Sequence, residues 1–187
     1  MNAWKHFKTI TKHRHLVMQG CFQVGLYWQG LVHDLSKYSP AEFCSGVRYY
    51  QGTRSPNTAE RELKGYSEAW MHHKGRNRHH YEYWTDLSLE TRNYESVPMP
   101  RKYLVEMVMD RIAACKVYQG EKYTSASALE YFLASRERWL MHPQTRDGLE
   151  FILTMLRDKG EQKTFRYLRS VVLAGKPVSW ETESGKE

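Results

Sequence analysis

Gly30-Leu31-Val32-His33-Asp34-Leu35-Ser36-Lys37 ends a long apolar segment by placing an imidazole beside a carboxylate. Adjacent residues inside a helix point about 100° apart, so His33 and Asp34 can face one ion only where a helix ends. An imidazole nitrogen and a carboxylate oxygen together bind borderline divalent metals such as iron, manganese, cobalt, nickel or zinc. The stretch therefore predicts a helix end that carries two metal ligands. A chance surface pair is the competing interpretation, and the neighbouring segments decide between the two.

The segment before this doublet has the spacing of a helix. Residues 3–31 contain no proline, and their apolar positions recur at helical intervals. This pattern predicts one long helix or two helices joined near Gly20 or Gly25. His13 falls on the apolar face and is expected to point inward, whereas His15 falls on another face. A single inward histidine is more often bonded to a carbonyl than to a metal, so His13 gains weight only from its neighbours.

The segment Trp70–Trp84 is rich in histidine and arginine. Its four histidines are His72, His73, His79 and His80. On a continuous helix His73, Asn77 and His80 would share a face, whereas Gly75 indicates a turn. Either geometry can gather the histidines. A solvated basic patch is the alternative, and it makes nucleic acid a competing partner.

An acid interrupts the most apolar helix of the chain. Pro100 precedes a helical pattern over Arg101–Tyr118, and Asp110 stands in the middle of it. An unpaired ionised carboxylate in an apolar interior costs several kcal/mol, so Asp110 is expected to meet a cation or to face solvent. Nearby Arg111 and Lys116 offer surface pairing as the simpler explanation.

The rest of the chain is also predicted to be helical. Ser39-Pro40-Ala41-Glu42 is a helix start, and further helical patterns cover 125–141, 143–159 and 165–173. Residues 58–63 fit a short helix or a loop, residues 85–100 fit a loop, and no run alternates as a strand does. The sequence predicts an all-α bundle of six to eight helices, with a single domain over 1–175 and a loose polar tail over 176–187.

Composition limits the class of protein. The chain has 187 residues and is 41% apolar, and no apolar run is long enough to span a membrane. The N-terminus lacks a signal-peptide pattern, so a cytoplasmic protein is expected. The formal charge of +7 favours anionic partners. The widely spaced Cys21, Cys44 and Cys115 are expected to be buried, reduced thiols.

Taken together, these histidines and acids resemble the motif of the HD superfamily of metal-dependent phosphohydrolases. Members of that superfamily are helical bundles in which a first His, a His-Asp doublet and a distant Asp bind one metal. Branches with two metals insert further histidines between the doublet and the last Asp. The resemblance spans about residues 11–118 and implies an HD-like fold with one or two divalent ions. The implied metal ligands are His13, His33, Asp34, His73, His79, His80 and Asp110.

The resemblance also implies an activity, namely hydrolysis of a small phosphate ester such as a nucleotide. Asp34 and Lys37 would be catalytic, and Lys37, Arg76 and Arg78 would bind the phosphate. Ser36 stands where the HD motif usually has glycine, and no Gly-Tyr-Pro follows the histidine pair, so specificity for cyclic dinucleotides is not supported.

Several roles stay open at this stage. Glu42 is a candidate for orienting a ligand histidine, although it also suits a helix N-terminus. Tyr81 and Trp84 could stack on a base, although packing is the commoner role of such residues. Two other classes of protein compete: a non-catalytic metal-stabilised module that binds nucleic acid or a protein partner, and a helical interaction protein without metal.

Overall fold

The computed structural model describes residues 2–134 and 140–181. Within these residues the chain forms eight α-helices and one small β-hairpin, which confirms the predicted all-α bundle. The helices are α1 Asn2–Val24, α2 Tyr27–Val32, α3 Pro40–Arg48, α4 Pro56–Lys64, α5 Glu68–Lys74, α6 Arg101–Gln119, α7 Ser127–Leu133 and α8 Pro143–Tyr167; the strands are β1 Thr85–Leu87 and β2 Tyr94–Ser96.

The N-terminal segment consists of two helices, as one of the two predicted arrangements had it. Gly25 ends α1 with a φ of 91°, a backbone conformation that costs a residue with a side chain more than it costs glycine. Helix α2 then folds back on α1, while α1 packs along α6. As a result, His13 and the end of α2 lie on the same side of α6.

The hydrophobic core lies where α1, α6, α7 and α8 meet. Fully buried side chains from all four helices fill it, among them Val17, Val105, Val108, Phe132, Leu149, Ile152 and Leu156. Burial of each such side chain stabilises the fold by roughly 1.5–3 kcal/mol. The core is therefore the rigid support on which α1 and α6 hold their polar residues.

The predicted loop over 85–100 contains a hairpin, so that part of the prediction was wrong. Strands β1 and β2 pair antiparallel, with Thr85 opposite Ser96 and Leu87 opposite Tyr94. Each strand has only three residues, too few for an alternating pattern to stand out in sequence.

Helix α8 joins two helical patterns that the sequence separated at Gly160. The glycine lies inside the helix with a φ of 73° and a ψ of 171°, so the chain kinks there instead of stopping. A π-helical turn, Leu168–Val172, follows α8 and completes the predicted helix over 165–173. Helix α7 covers only the first part of the pattern over 125–141, and residues 135–139 lie outside the described residues.

The first residues of the predicted polar tail pack against the helices. Val178 and Trp180 are buried in the core, and Arg101 forms an ion pair with Glu181. Two apolar side chains in an otherwise polar segment were too weak a signal to reveal this packing. The rest of the predicted tail, residues 182–187, lies outside the described residues.

The prediction that all three cysteines are buried is right for two of them. Cys21 and Cys115 are buried free thiols as expected, but Cys44 is exposed on α3. Cys44 lies on a short helix that contacts its neighbours with its other faces, which explains the wrong prediction. None of the described helices is both long enough and apolar enough to cross a membrane.

Candidate metal centre

The His-Asp doublet lies at a sharp turn directly after α2. His33 leaves the helix with φ −49° and ψ 127°, and Asp34 adopts a left-handed conformation with φ 54° and ψ 25°. Aspartate tolerates this conformation better than most residues with a side chain. The turn brings His33 Nε2 to 3.3 Å from Asp34 Oδ2, although adjacent residues in a helix would diverge. The predicted helix end is thus the feature that lets the doublet converge.

One group of possible ligands forms around Asp34 Oδ2. His13 Nε2 from α1 lies 3.6 Å from this oxygen and 2.9 Å from Asp110 Oδ1 on α6. His33 Nε2 lies 3.5 Å from the same Asp110 oxygen. His13, His33, Asp34 and Asp110 could therefore hold one metal ion, and we call them the first ligand group.

A second group forms around the other oxygen of Asp34. His73 Nε2 at the end of α5 lies 3.2 Å from Asp34 Oδ1, and His79 Nε2 lies 3.5 Å from it. The ring of His80 lies beside His79, with 4.1 Å between the ring centroids. Asp34, His73, His79 and His80 form the second ligand group. Asp34 thus belongs to both groups and turns one oxygen toward each.

Two buried glutamates contact the far sides of these histidines. Glu106 Oε1 accepts hydrogen bonds from Nδ1 of His33 at 2.9 Å and from Nδ1 of His79 at 3.1 Å. Glu42 accepts from His73 Nδ1 at 2.7 Å through one oxygen and from His72 Nδ1 at 2.6 Å through the other. A ligand histidine that donates its second ring nitrogen to a carboxylate is oriented for coordination.

Several atoms that face the centre have no hydrogen bond from the described part of the chain. These six buried atoms are Nε2 of His13, His33, His79 and His80, and both carboxylate oxygens of Asp34. An unsatisfied buried polar group costs roughly 1–3 kcal/mol. The ion pair with Lys37 stabilises Asp34 Oδ2, but the inward nitrogens of His33, His79 and His80 still need a common explanation. Neutral imidazole nitrogens and carboxylate oxygens are suitable donors for a divalent transition metal. The residues therefore fit a metal.

The carboxylates of the centre are ionised. Burial raises the pKa of Asp34, but the charges of His33 and Lys37 outweigh it and hold this pKa well below its usual range. Burial likewise opposes ionisation of Asp110, but the nearby imidazoles of His13 and His33 outweigh it and lower the pKa of Asp110. Two ionised carboxylates thus lie in a largely buried centre, stabilised by Lys37 and the imidazoles around them, and negative charge of this kind is what a metal ion coordinates.

The imidazoles divide into two kinds. Burial lowers the pKa of His33, but the Asp34 carboxylate and other acids outweigh it and raise this pKa well above its ordinary value. The pKa of His73 is raised too, because the Asp34 carboxylate outweighs burial. The pKa of His80 is lowered, first by burial and then by the charge of His79, and the pKa of His79 is lowered by burial and by the charge of His33. His79 and His80 are thus held neutral, the state that coordinates a metal, whereas His33 and His73 carry a proton that a metal would displace.

The structure separates the predicted ligands from their neighbours in sequence. His13 is buried in the first group, whereas His15 is exposed. His73 is buried in the second group, whereas His72 bonds to Glu42 from a partly exposed position.

The predicted phosphate ligands are only partly brought together. Lys37 Nζ lies 2.6 Å from Asp34 Oδ2 and so belongs to the centre. Arg76 is exposed and donates to the carbonyl of His72 at 3.3 Å, and Arg78 is exposed and donates to the hydroxyl of Tyr103 at 3.2 Å. The turns that follow α5 leave both guanidinium groups at the surface, so the geometry does not support a role for them at the ligand groups.

The aromatic residues of this segment have mainly a packing role. Tyr81 and Trp84 pack against the hydrophobic core, and Trp84 Nε1 donates to the carbonyl of Arg78 at 2.7 Å. Glu106, by contrast, is a residue that the sequence analysis missed. It lies four residues before Asp110, a helical spacing that surface glutamates also show, so the local sequence did not single it out.

Fold and site together define an all-helical protein with a buried centre of imidazoles and carboxylates that suits divalent metal. The chain belongs to the family of unknown function DUF5662, whose sequence profile matches residues 2–155. The matched range includes every member of both ligand groups. Comparison with curated proteins and with solved structures found no significant match.

Proposed function

We propose that this protein is a metal-dependent phosphohydrolase of the HD type that acts on a small phosphate ester such as a nucleotide. The observation that carries the proposal is the position of Asp34, whose two oxygens face two different groups of imidazoles. A carboxylate shared in this way is suited to bridging two ions. The order of the residues along the chain, with the doublet between His13 and Asp110, supports the same class of enzyme.

Each ligand group would hold one ion. His13, His33, Asp34 and Asp110 would bind the first, and Asp34, His73, His79 and His80 the second. Divalent iron, manganese, cobalt, nickel and zinc all suit these nitrogen and oxygen donors. Bound there, such an ion would act as a Lewis acid: it would lower the pKa of water to about 7 and polarise a phosphoryl oxygen.

Lys37 would bind the phosphate of the substrate. Burial lowers the pKa of Lys37, but the charges of Asp34 and Asp110 outweigh it and raise this pKa, so the ammonium stays protonated. The side chain of Lys37 is 27% exposed and that of Asp110 18%, whereas Asp34 is fully buried. The centre is therefore more accessible beside Lys37 and Asp110, and a phosphate that enters there would meet a fixed positive charge.

Elemental analysis followed by a hydrolysis screen tests this proposal. Purified protein is loaded with Mn²⁺, Fe²⁺, Co²⁺ or Ni²⁺ and assayed against a general phosphatase substrate and a panel of nucleotides. We expect bound metal and release of phosphate, both lost in Asp34→Ala and both retained in the control His15→Ala.

Two results would contradict the proposal. If Asp34→Ala keeps both bound metal and hydrolysis, the His-Asp doublet has no role in the centre. A metal-loaded protein that hydrolyses nothing but binds nucleic acid with salt-sensitive affinity would instead support the non-catalytic module.

A further inference from the structure

We propose that Glu106 is a positioning residue that serves both ligand groups at once, so that its loss weakens both metal positions together. This inference rests on the proposed metal centre, but it does not require that the centre be catalytic.

The geometry of Glu106 differs from that of an ordinary buried acid. One oxygen, Oε1, accepts from His33 at 2.9 Å and from His79 at 3.1 Å. The two rings lie side by side, with 4.3 Å between their centroids. His33 belongs to the first ligand group and His79 to the second. A single oxygen atom therefore contacts one ligand of each group.

These bonds determine which nitrogen of each ring is available to a metal. An imidazole that donates its Nδ1 proton to a carboxylate keeps the lone pair on Nε2. The Nε2 atoms of His33 and His79 lie 3.3 Å and 3.5 Å from the two different oxygens of Asp34. Glu106 behind the rings and Asp34 in front of them thus define the direction in which both histidines coordinate.

Glu106 itself is held in place by its surroundings. It is only 5% exposed and lies on α6 one turn before Asp110. The packing of α6 along α1 therefore holds its carboxylate behind both rings.

Glu42 provides a matched comparison because it is a similar glutamate with a narrower role. It is 6% exposed, and its two oxygens accept from His73 and His72. Of these two histidines only His73 belongs to a ligand group, the second. Loss of Glu42 should therefore weaken one metal position, whereas loss of Glu106 should weaken two.

Titration of the metal-free protein with Mn²⁺, followed by isothermal calorimetry and by the electron paramagnetic resonance of free Mn²⁺, tests this difference. We expect two bound ions in the wild type. In Glu106→Leu we expect both affinities to fall about 10–100-fold, the usual effect of removing a carboxylate behind a ligand histidine. In Glu42→Leu we expect the same fall at one position and wild-type affinity at the other.

Circular dichroism first shows whether each variant folds. If Glu106→Leu does not fold, Glu106→Gln replaces it, because a glutamine keeps an oxygen acceptor but loses the charge. We expect this variant to bind more weakly at both positions. For either Glu106 variant, weaker metal binding at only one position, or at neither, would overturn the proposal that Glu106 serves both ligand groups.

A second measurement does not depend on any variant. Nitrogen-15 NMR of the zinc-loaded wild type should show the proton of both His33 and His79 on Nδ1. An Nε2 proton on either ring, or loss of both Nδ1 protons because Glu106 and the two rings themselves hold an ion, would overturn the inference. Two bound ions without any hydrolysis would instead contradict only the proposed activity.

Discussion

His13 Nε2 lies 2.9 Å from Asp110 Oδ1, which joins a side chain from the first helix to one from the sixth. Both residues lie on helices that are held together by the hydrophobic core, since α1 packs along α6. Two residues of the first ligand group are therefore anchored on helices of the core. Substitutions at the centre should change metal binding more than they change the architecture.

The first prediction concerns the two neighbouring histidines of α1. We expect His13→Ala to lose the ion of the first ligand group, because a buried ligand nitrogen disappears, whereas His15→Ala binds metal as the wild type does. Metal content after dialysis, measured by mass spectrometry, distinguishes the two. Equal metal content in both variants would exclude His13 as a ligand.

The second prediction separates binding from catalysis. Lys37 Nζ is 2.6 Å from Asp34 Oδ2, where it competes with a cation for the same oxygen. We expect Lys37→Met to bind metal at least as tightly as the wild type, while kcat falls about 10²–10³-fold because a fixed positive charge is lost. Calorimetric metal titration and steady-state kinetics measure the two effects. A Lys37→Met enzyme with unchanged kcat would show that Lys37 has no catalytic role.

The third prediction concerns packing near the N-terminus. A Cβ added at Gly46 of α3 would lie 2.2 Å from His6 Nε2, which is far too close for either atom. We expect Gly46→Ala to lower the free energy of unfolding by about 1–3 kcal/mol, a typical cost of overpacking. Urea denaturation measures the change. In the double variant with His6→Ala, the added cost of Gly46→Ala should largely disappear, and strict additivity would contradict this explanation.

The fourth prediction is a dependence of stability on pH. Burial, and then the charge of Lys37, lowers the pKa of His6 to about 4 from an ordinary value of 6.5. Between these values the unfolded chain binds a proton that the folded protein does not. The folded protein is therefore destabilised as the pH falls from 6.5 toward 4, because protonation of His6 favours the unfolded chain. Above pH 6.5 His6 is largely neutral in both states, and the destabilisation disappears.

At pH 5 this destabilisation should amount to about 2 kcal/mol. Urea denaturation at pH 7 and pH 5 measures it, with His6→Asn as a variant that cannot titrate at this position. The wild type should lose about 2 kcal/mol more than His6→Asn over this interval. Equal losses would show that His6 is not held neutral in the folded protein.

Much of the candidate centre could be predicted because its residues are polar at positions where the sequence pattern is apolar. Asp110 interrupts an apolar helix, and His13 lies on an apolar face, so each was recognisable without knowledge of contacts. The expected helical relation of His73 to Asn77 and His80 holds only in part. Asn77 N donates to the carbonyl of His73 at 3.1 Å, as one helical turn would have it. Helix α5 ends at Lys74, however, so a turn and not a continuous helix brings His80 beside His73.

Other features depend on contacts between distant segments and could not be predicted from local patterns. Glu106 resembles any helical glutamate until His33 and His79 are placed beside it. Trp180 looks like part of a polar tail until it is seen to pack on Phe151 of α8, with 5.0 Å between the ring centroids. In both cases the deciding partner lies far away in the sequence.

The most direct test of the central claim is anomalous diffraction from crystals grown with Mn²⁺, recorded at a wavelength where manganese scatters anomalously. We predict two anomalous peaks, one within coordination distance of each Asp34 oxygen, with His13, His33 and Asp110 around one peak and His73, His79 and His80 around the other. A metal-saturated crystal without an anomalous peak beside Asp34 would contradict the account.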